Sequence, residues 1–73
     1  MEHARVLIKE SLDNPALLEL IGDNDDLLAA GVDSGEMIRI AFGCEKRLGR
    51  RLSDAELTAL TSVAAIATIL KAG

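Results

Sequence analysis

Apolar residues in the middle of the chain recur at intervals of three and four, which is the spacing of one face of an α-helix. The clearest stripe contains Met37, Ile40, Ala41, Cys44 and Leu48. Asp33 precedes this stripe, and Gly49 with Arg50 and Arg51 follows it, as is typical of the C-terminal end of a helix. The sequence contains no alternating run of apolar and polar residues. The pattern therefore predicts a long central helix, helix II, and an all-α fold.

The first helix, helix I, is predicted over residues 2–13 by apolar and small residues at helical spacing. They are Ala4, Leu7, Ile8, Ser11 and Leu12. Asn14 and Pro15 end this helix, because the residue before a proline is pushed out of the α region. Asn14 is also suited to cap a short helical turn, since proline is tolerated at the first helical position. The apolar residues of that turn are Leu17, Leu18 and Ile21. Residues 22–31 then form a long connection.

Two further helices are predicted in the last third of the chain. Ser53 and Glu56 stand at the spacing of a capping box and open a short helix III through Leu60. Thr61 or Ser62 then begins helix IV. Its inward side chains are expected to be Val63, Ile66, Ala67 and Leu70. The predicted fold is an all-α four-helix bundle with a long loop between helices I and II and a short helix III.

The size of the chain limits the kind of site it can build. A chain of 73 residues makes a single domain, residues 1–73, and buries too little surface to support a deep enzyme cleft. Its only aromatic residue is Phe42, so the core must consist of Leu, Ile, Val and Ala. No apolar run approaches the roughly 20 residues of a membrane span, and the N-terminus lacks a signal-peptide core. We expect a soluble, cytoplasmic protein.

The net charge of −4 is unevenly distributed along the chain. Residues 1–33 contain eight acids and two basic residues, whereas residues 34–53 contain two acids and five basic residues, a net +3. Such segregation favours a surface that steers a charged partner. The basic run from Lys46 to Arg51 could contact phosphates, but the acidic balance and the lack of aromatic residues argue against nucleic-acid binding.

The residues needed for nucleophilic catalysis are missing around Ser34. The nucleophile elbow G-x-S-x-G fails, because Val32 and Glu36 stand where its glycines belong. His3, the only histidine, is expected to be a solvent-exposed residue of helix I rather than a catalytic base. No catalytic residue is therefore predicted, and we do not expect an enzyme.

Metal-binding patterns are incomplete as well. A calcium loop starting at Asp23 would place Leu28 at the required glycine position and Ser34 at the bidentate glutamate position. A solvated acidic loop is the better interpretation. Cys44, the single cysteine, excludes a cysteine-based metal site and an internal disulfide framework, and it is expected to be a small buried residue of the core. No metal ligand is predicted.

The residues around position 34 predict an outward hydroxyl at the start of helix II. Asp33 and Glu36 are three apart, which fits a capping box with Asp33 as the N-cap and Ser34 as the first helical residue. A phosphate esterified to Ser34 would lie beside unsatisfied backbone N–H groups and the positive end of the helix dipole. Gly35 costs roughly 1 kcal/mol of helix propensity relative to alanine, which a first turn tolerates. Ser34 is therefore a candidate attachment point.

The segment before helix II consists of a loop ending in glycine, a variable residue and an Asp-Ser pair. It reads Asp26-Leu27-Leu28-Ala29-Ala30-Gly31-Val32-Asp33-Ser34. With the predicted helices, this segment makes the chain resemble the acyl and peptidyl carrier protein family over essentially its whole length. In that family a phosphopantetheinyl transferase attaches 4′-phosphopantetheine from coenzyme A to the serine, and the terminal thiol carries an acyl or aminoacyl thioester. The resemblance implies Ser34 as the attachment site and Asp33 as its flanking motif residue.

A second, shorter apolar stripe on helix II acquires a role from this resemblance. In the family, the outer face of helix II beside the modified serine docks partner enzymes. The corresponding positions here are Gly35, Ile38, Arg39, Phe42 and Lys46. The implied partners of a monomeric carrier are a phosphopantetheinyl transferase, an acyl- or aminoacyl-loading enzyme and a downstream synthase or transferase. The alternative is that Ile38 and Phe42 pack beneath the long loop.

Two departures from the family pattern bear on the pathway. Gly35 stands where a leucine usually follows the serine, and residues 34–53 are basic where typical fatty-acid carriers have an acidic helix II. Both departures favour a specialised discrete carrier of polyketide or nonribosomal peptide biosynthesis over a housekeeping fatty-acid carrier. An alternative from another class is an unmodified helical adaptor that binds a partner through Ile38 and Phe42.

Overall fold

The computed structural model describes residues 2–72, which form α-helices and one 3-10 helix and no strand. The helices are α1 (Glu2–Ser11), the 3-10 helix (Pro15–Leu20), α2 (Ser34–Leu48), α3 (Asp54–Thr58) and α4 (Val63–Ala72). Helices α1, α2 and α4 pack against one another, and the 3-10 helix packs against α1. The predicted all-α bundle, with a long loop after helix I and a short helix III, is confirmed. None of the helices in residues 2–72 has the length and apolar character needed to span a membrane.

The core lies between the inward faces of α1, α2 and α4. Ile8, Ile40 and Ile66, one from each helix, are fully buried. All the positions predicted to face inward from helix I are buried, namely Ala4, Leu7, Ile8, Ser11 and Leu12. The inward stripe of α2 also agrees with the prediction, with Ile40 and Cys44 buried and Met37, Ala41 and Leu48 partly buried.

On α4 the buried face differs from the predicted one. Val63 and Ile66 are buried as expected, but Ile69 is the third buried residue, while Ala67 and Leu70 are only partly buried. The buried residues of α4 therefore recur at intervals of three, and the face of α4 that packs on the core does not include Ala67.

Two helices end earlier than predicted. α1 ends at Ser11 because the N–H of Asp13 donates to Glu36 Oε2 at 2.8 Å instead of to a helical carbonyl. α3 ends at Thr58, where the N–H of Ala59 is shared between preceding carbonyls and tightens the last turn. The first of these differences arises from a contact distant in sequence, and the second from a local turn.

The predicted stop and start signals lie where the helices end and begin. Gly49 follows α2 in the left-handed region (φ 70°), and its N–H donates to the carbonyl of Glu45. Ser53 is the N-cap of α3, and both hydrogen bonds of its capping box are present. The hydroxyl of Ser62 accepts the N–H of Ala65 at 3.1 Å, so Ser62 caps the start of α4, whose first residue is Val63.

The long α1–α2 connection is held against the bundle by Arg5 of α1. Its guanidinium donates to Asp23 Oδ1 at 2.6 Å and to the carbonyls of Leu18 and Ile21 at 3.3 and 3.0 Å. Further along, the fully buried side chain of Leu27 anchors the loop in the core. Charge-assisted hydrogen bonds are the stronger kind, and here one side chain fixes three separate points of the connection.

The acidic residues of this connection shape its own backbone. Asp25 accepts the N–H of Gly22 at 2.7 Å, and Asp26 Oδ1 accepts the N–H of Leu28 at 3.0 Å. Asp23 is the partner of α1 described above. Within residues 2–72, no group of three or more His, Cys, Asp or Glu side chains could hold a metal ion. Two of these carboxylates thus accept hydrogen bonds from backbone N–H groups of turns, and a third forms an ion pair. The sequence prediction of a solvated acidic loop did not include these contacts.

Gly43 lets α1 approach α2 closely. A Cβ at this position would lie 3.1 Å from Leu7 Cδ2, closer than ordinary van der Waals contact. Because protein interiors are close-packed, Leu7 of the neighbouring helix occupies the space that a side chain at position 43 would take.

Arg50 connects the end of α2 to α3. Its two terminal nitrogens donate to the two carboxylate oxygens of Glu56, each at 2.8 Å, and Glu56 also accepts the N–H of Ser53 at 2.9 Å. The hydrogen bond from Arg50, followed by that from Ser53, lowers the pKa of the Glu56 carboxyl to about 2. The charged form of Glu56 is therefore the one that the fold stabilises.

Glu56→Gln is expected to remove a pH-dependent part of the stability. The pKa of Glu56 is about 2 in the folded state, below the roughly 4.3 of a free glutamate. Its contribution is therefore fully present above the unfolded-state pKa and is lost as the pH falls toward 2. The difference in free energy of unfolding between wild type and Glu56→Gln should shrink between about pH 5 and pH 2, as measured by urea denaturation.

Glu19→Gln is the matched control for this experiment. Glu19 is exposed, and within residues 2–72 it forms no ion pair. Glu19→Gln changes the net charge by the same amount as Glu56→Gln. If its difference in free energy of unfolding from wild type shrinks equally as the pH falls, a specific role for the Arg50–Glu56 pair is contradicted.

Candidate functional site

The first turn of α2 is fixed by the predicted capping box. Asp33 has extended backbone angles, and its Oδ1 accepts the N–H of Glu36 at 2.7 Å. In return, Glu36 Oε1 accepts the N–H of Asp33 at 3.1 Å. Asp33 is thus the N-cap, and Ser34 is the first residue of α2. The prediction that Ser34 is not required as the cap is confirmed.

The same glutamate reaches a second segment of the chain. Glu36 is only 7% exposed, and its Oε2 accepts the N–H of Asp13, just beyond the end of α1. One turn further along α2, Arg39 Nη1 donates to Asp13 Oδ1 at 2.7 Å and to the carbonyl of Ser11 at 3.4 Å. The first two turns of α2 therefore hold the end of α1 beside Ser34. Sequence reasoning missed these contacts, because a pairing over 23 to 28 residues has no local signature.

Ser34 differs from the other serines in what its hydroxyl does. Ser11 is buried and donates to the carbonyl of Leu7, while the hydroxyls of Ser53 and Ser62 accept N–H groups at the starts of α3 and α4. Ser34 is exposed, and its hydroxyl makes no hydrogen bond within the described part of the chain. It is the serine that a modifying enzyme can reach without breaking a cap or opening the core.

The surroundings of Ser34 suit an esterified phosphate. Within residues 2–72, the backbone N–H groups of Ser34 and Gly35 have no protein acceptor, whereas that of Glu36 is taken by Asp33. Free N–H groups and the positive end of the helix dipole stabilise an anion at this position. The residues present therefore fit a phosphate-linked prosthetic group on the Ser34 hydroxyl.

Gly35 is required neither by the backbone nor by packing. Its φ lies outside the left-handed region, and a Cβ built on it would meet only Asp33 Oδ1, at 3.4 Å. A side chain could therefore be accommodated at this position. The glycine leaves open space on the surface of α2 immediately beside Ser34.

The predicted outer face of α2 is exposed. Ile38 and Phe42 are 57% and 64% exposed, and Lys46 is exposed one turn further along. The two apolar side chains therefore do not pack beneath the long loop. Arg39 lies on the edge of this face, half exposed, but its charge is paired with Asp13.

The ion pairs redistribute the positive charge that the sequence places in residues 34–53. Arg39 pairs with Asp13 and Arg50 pairs with Glu56, and both of these acids lie outside residues 34–53. Arg47 and Arg51, near the far end of α2, have no acidic side chain within 4.0 Å among residues 2–72. The surface beside Ser34 is thus less positive than the count of residues indicates, and the end of α2 is where the positive charge remains.

The other candidate groups lie away from Ser34. His3 is exposed and lines a groove with Arg47 and Lys71. Because Arg47 is thirteen residues beyond Ser34 on α2, this groove lies about 20 Å along the helix from Ser34. Cys44 is buried in the core, and burial, with a smaller effect of Glu45, raises the pKa of its thiol. Neither residue supplies a base or a reactive thiol at the site.

A family model described as "Phosphopantetheine attachment site" matches residues 5–70. The match includes the Asp33–Ser34 turn and parts of every helix that supports it, and the chain belongs to this family of acyl and peptidyl carrier proteins. The family binds 4′-phosphopantetheine covalently, and its domains are generally non-catalytic carriers that interact with phosphopantetheinyl transferases and partner enzymes. Comparison with curated proteins and with solved structures gives no significant match.

Truncation of the exposed face of α2 is expected to leave the fold intact. Ile38→Ala and Phe42→Ala should each change the free energy of unfolding by less than about 0.5 kcal/mol, because both side chains are largely exposed. Ile40→Ala, on the opposite face, should cost about 2–5 kcal/mol. Urea denaturation of the three variants measures this, and a loss at Phe42 similar to that at Ile40 would place Phe42 in the core.

Proposed function

We propose that Ser34 is the attachment site of the prosthetic group and that residues 1–73 act as a single discrete carrier domain. The observation that carries this proposal concerns the described residues 2–72. There, Ser34 alone among the serines combines an exposed hydroxyl that makes no hydrogen bond with a helix N-terminus whose first two N–H groups have no acceptor. Asp33 supports it by taking the capping role, so that the hydroxyl of Ser34 is available for modification.

The chemistry of attachment is a phosphoryl-type transfer from coenzyme A. The Ser34 Oγ forms a bond to the phosphorus nearest the pantetheine arm while the pyrophosphate P–O bond breaks, and adenosine 3′,5′-bisphosphate leaves. The hydroxyl proton passes to a base on the transferase, because His3 is remote from Ser34. When bound, the group supplies a terminal thiol that holds an acyl or aminoacyl cargo as a thioester, a role that buried Cys44 cannot fill.

Incubation with a promiscuous phosphopantetheinyl transferase and coenzyme A is expected to add one phosphopantetheine to the wild type, as measured by intact mass. Ser34→Ala should remove the adduct completely. Ser53→Ala is the matched control, since Ser53 is the other exposed serine at a helix start, and this variant should still be modified. An unmodified wild type would contradict the proposal and would leave the unmodified adaptor as the better hypothesis.

The outer face of α2 is the proposed docking surface for partner enzymes. It consists of Gly35, Ile38, Arg39, Phe42 and Lys46. Exposed apolar side chains beside a modification site favour protein contact, and aromatic residues often dominate such contacts. The proposed partners are the phosphopantetheinyl transferase, an acyl- or aminoacyl-loading enzyme and a downstream synthase or transferase, acting on a monomeric, cytoplasmic carrier.

The pathway we propose is polyketide or nonribosomal peptide biosynthesis. Its support is the combination of Gly35 beside the attachment site with positive charge near the far end of α2. That charge, at Lys46, Arg47 and Arg51, forms no ion pair within residues 2–72. A partner built to hold an acidic α2 with a basic patch would be repelled at that end. This charge pattern favours a specialised set of partners over those of a housekeeping fatty-acid carrier.

Phe42→Ala is expected to lower kcat/KM for phosphopantetheine transfer by about tenfold, because truncating a contributing interface residue costs more than about 1 kcal/mol and about 1.4 kcal/mol is tenfold. The expected cause is lost contact with the transferase, since Phe42 contributes little to the fold. Leu57→Ala is the control, because Leu57 is an exposed apolar residue of α3 outside the proposed surface. Equal effects of the two substitutions would argue against a docking role for this face of α2.

A further inference from the structure

The carboxylate of Glu36 does more than a capping box requires. A capping box uses one side-chain oxygen, which here accepts the N–H of the N-cap Asp33. The second oxygen accepts the N–H of Asp13, from a segment 23 residues earlier in the chain. We call this arrangement the Asp13–Glu36–Asp33 bridge. It joins the end of α1 to the turn that carries Ser34.

Because Glu36 is buried, both oxygens of its carboxylate in the Asp13–Glu36–Asp33 bridge need hydrogen-bond donors. Glu36 is 7% exposed, and the structure leaves no buried side-chain oxygen or nitrogen without a partner in residues 2–72. A buried carboxylate is tolerated when hydrogen bonds replace the water that it has lost. Because both oxygens of Glu36 have N–H partners, moving either segment would leave one oxygen unsatisfied. The two segments are therefore fixed relative to each other.

Arg39 adds a second connection between the same two segments. Its guanidinium donates to the carboxylate of Asp13 and to the carbonyl of Ser11. The end of α1 is thus held through an N–H, a carboxylate and a carbonyl. This pair is largely exposed and is weaker than the buried contact of Glu36.

Gly35 explains why such a connection is useful at this turn. Glycine disfavours a helix relative to alanine, because it loses more backbone freedom on ordering. It stands between Ser34 and Glu36, in the first turn of α2. Among residues 2–72 beyond its chain neighbours, only the Asp33 side chain would come within 4 Å of a Cβ at this position. The capping box therefore holds a turn in which the glycine disfavours order, and the contacts of Glu36 and Arg39 with the end of α1 and with Asp13 add to that restraint.

We propose that Glu36 is a positioning residue for the attachment of phosphopantetheine to Ser34. By holding the N–H groups of Asp33 and Asp13 together, it presents the Ser34 hydroxyl on an ordered turn before the transferase binds. This inference rests on Ser34 being the attachment site. A preordered turn spares the transferase the free energy of ordering it, so the gain appears in the rate of transfer and not only in stability.

The same chain contains a matched control for this role. Glu56 occupies the equivalent position in the capping box of α3, where it accepts the N–H of the N-cap Ser53, and α3 does not carry Ser34. Glu36→Gln and Glu56→Gln are isosteric changes of the same kind at the two boxes. In each variant the amide keeps one acceptor oxygen and presents N–H groups where the other oxygen was.

Glu36→Gln is expected to lower kcat/KM for phosphopantetheine transfer by about tenfold, which corresponds to the cost of ordering roughly one backbone residue. Glu56→Gln should stay within about twofold of wild type, although it also weakens the fold. Both variants are assayed with coenzyme A and the same transferase at a temperature where urea denaturation shows each to be fully folded. Amide hydrogen exchange at Asp13 should accelerate in Glu36→Gln alone.

Rescue separates positioning from loss of the fold. Gly35→Ala in the Glu36→Gln background should restore at least about threefold of the lost kcat/KM, since alanine restrains the first turn and its Cβ is accommodated. No rescue, or equal kinetics for Glu36→Gln and Glu56→Gln, would overturn the positioning role. A wild type that takes no phosphopantetheine would instead overturn the assignment of Ser34, so the two failures can be distinguished.

Discussion

The need to satisfy a buried carboxylate determines how the end of α1 meets the start of α2. Glu36 lies at the base of the first turn of α2, and its oxygens accept N–H groups from Asp33 on one side and Asp13 on the other. The N-cap of α2, the end of α1 and the exposed position of Ser34 all follow from that pair of hydrogen bonds. A group that would be costly to bury alone thus becomes the structural centre of the candidate site.

The rest of the bundle supports this turn through a small aliphatic core and a few polar contacts. The core is almost entirely aliphatic, centred on Ile8, Ile40 and Ile66, and the long connection owes its position to Arg5 and the buried side chain of Leu27. A small domain has little stability to spare, so polar contacts that tie the loop to the helices matter more than they would in a larger protein. The apolar residues that remain exposed on α2 are therefore available for contact with other proteins.

The sequence allowed local features to be predicted and concealed the distant ones. The helices, the capping boxes at Asp33 and Ser53 and the exposed hydroxyl of Ser34 depend on residues within one or two turns, so spacing revealed them. The contact of Glu36 with Asp13, the pairing of Arg39 and the clamp made by Arg5 join residues 13 to 28 positions apart. Such contacts depend on how helices pack, and hydrophobic spacing alone does not encode them. For the same reason the sequence places Arg39 on the docking face without indicating its partner Asp13, just beyond α1.

The central claim, that Ser34 carries the phosphopantetheine, is tested most directly by locating the group on the modified wild-type protein. Cleavage after Lys and Arg places Ser11 and Ser34 in the peptide 10–39, and Ser53 and Ser62 in the peptide 52–71. Tandem mass spectrometry is expected to show the added mass on peptide 10–39. Within that peptide, the fragments that contain Ser34 should carry the mass, and the fragments that contain Ser11 without Ser34 should not. Added mass on Ser11 or on the peptide 52–71 would contradict the claim.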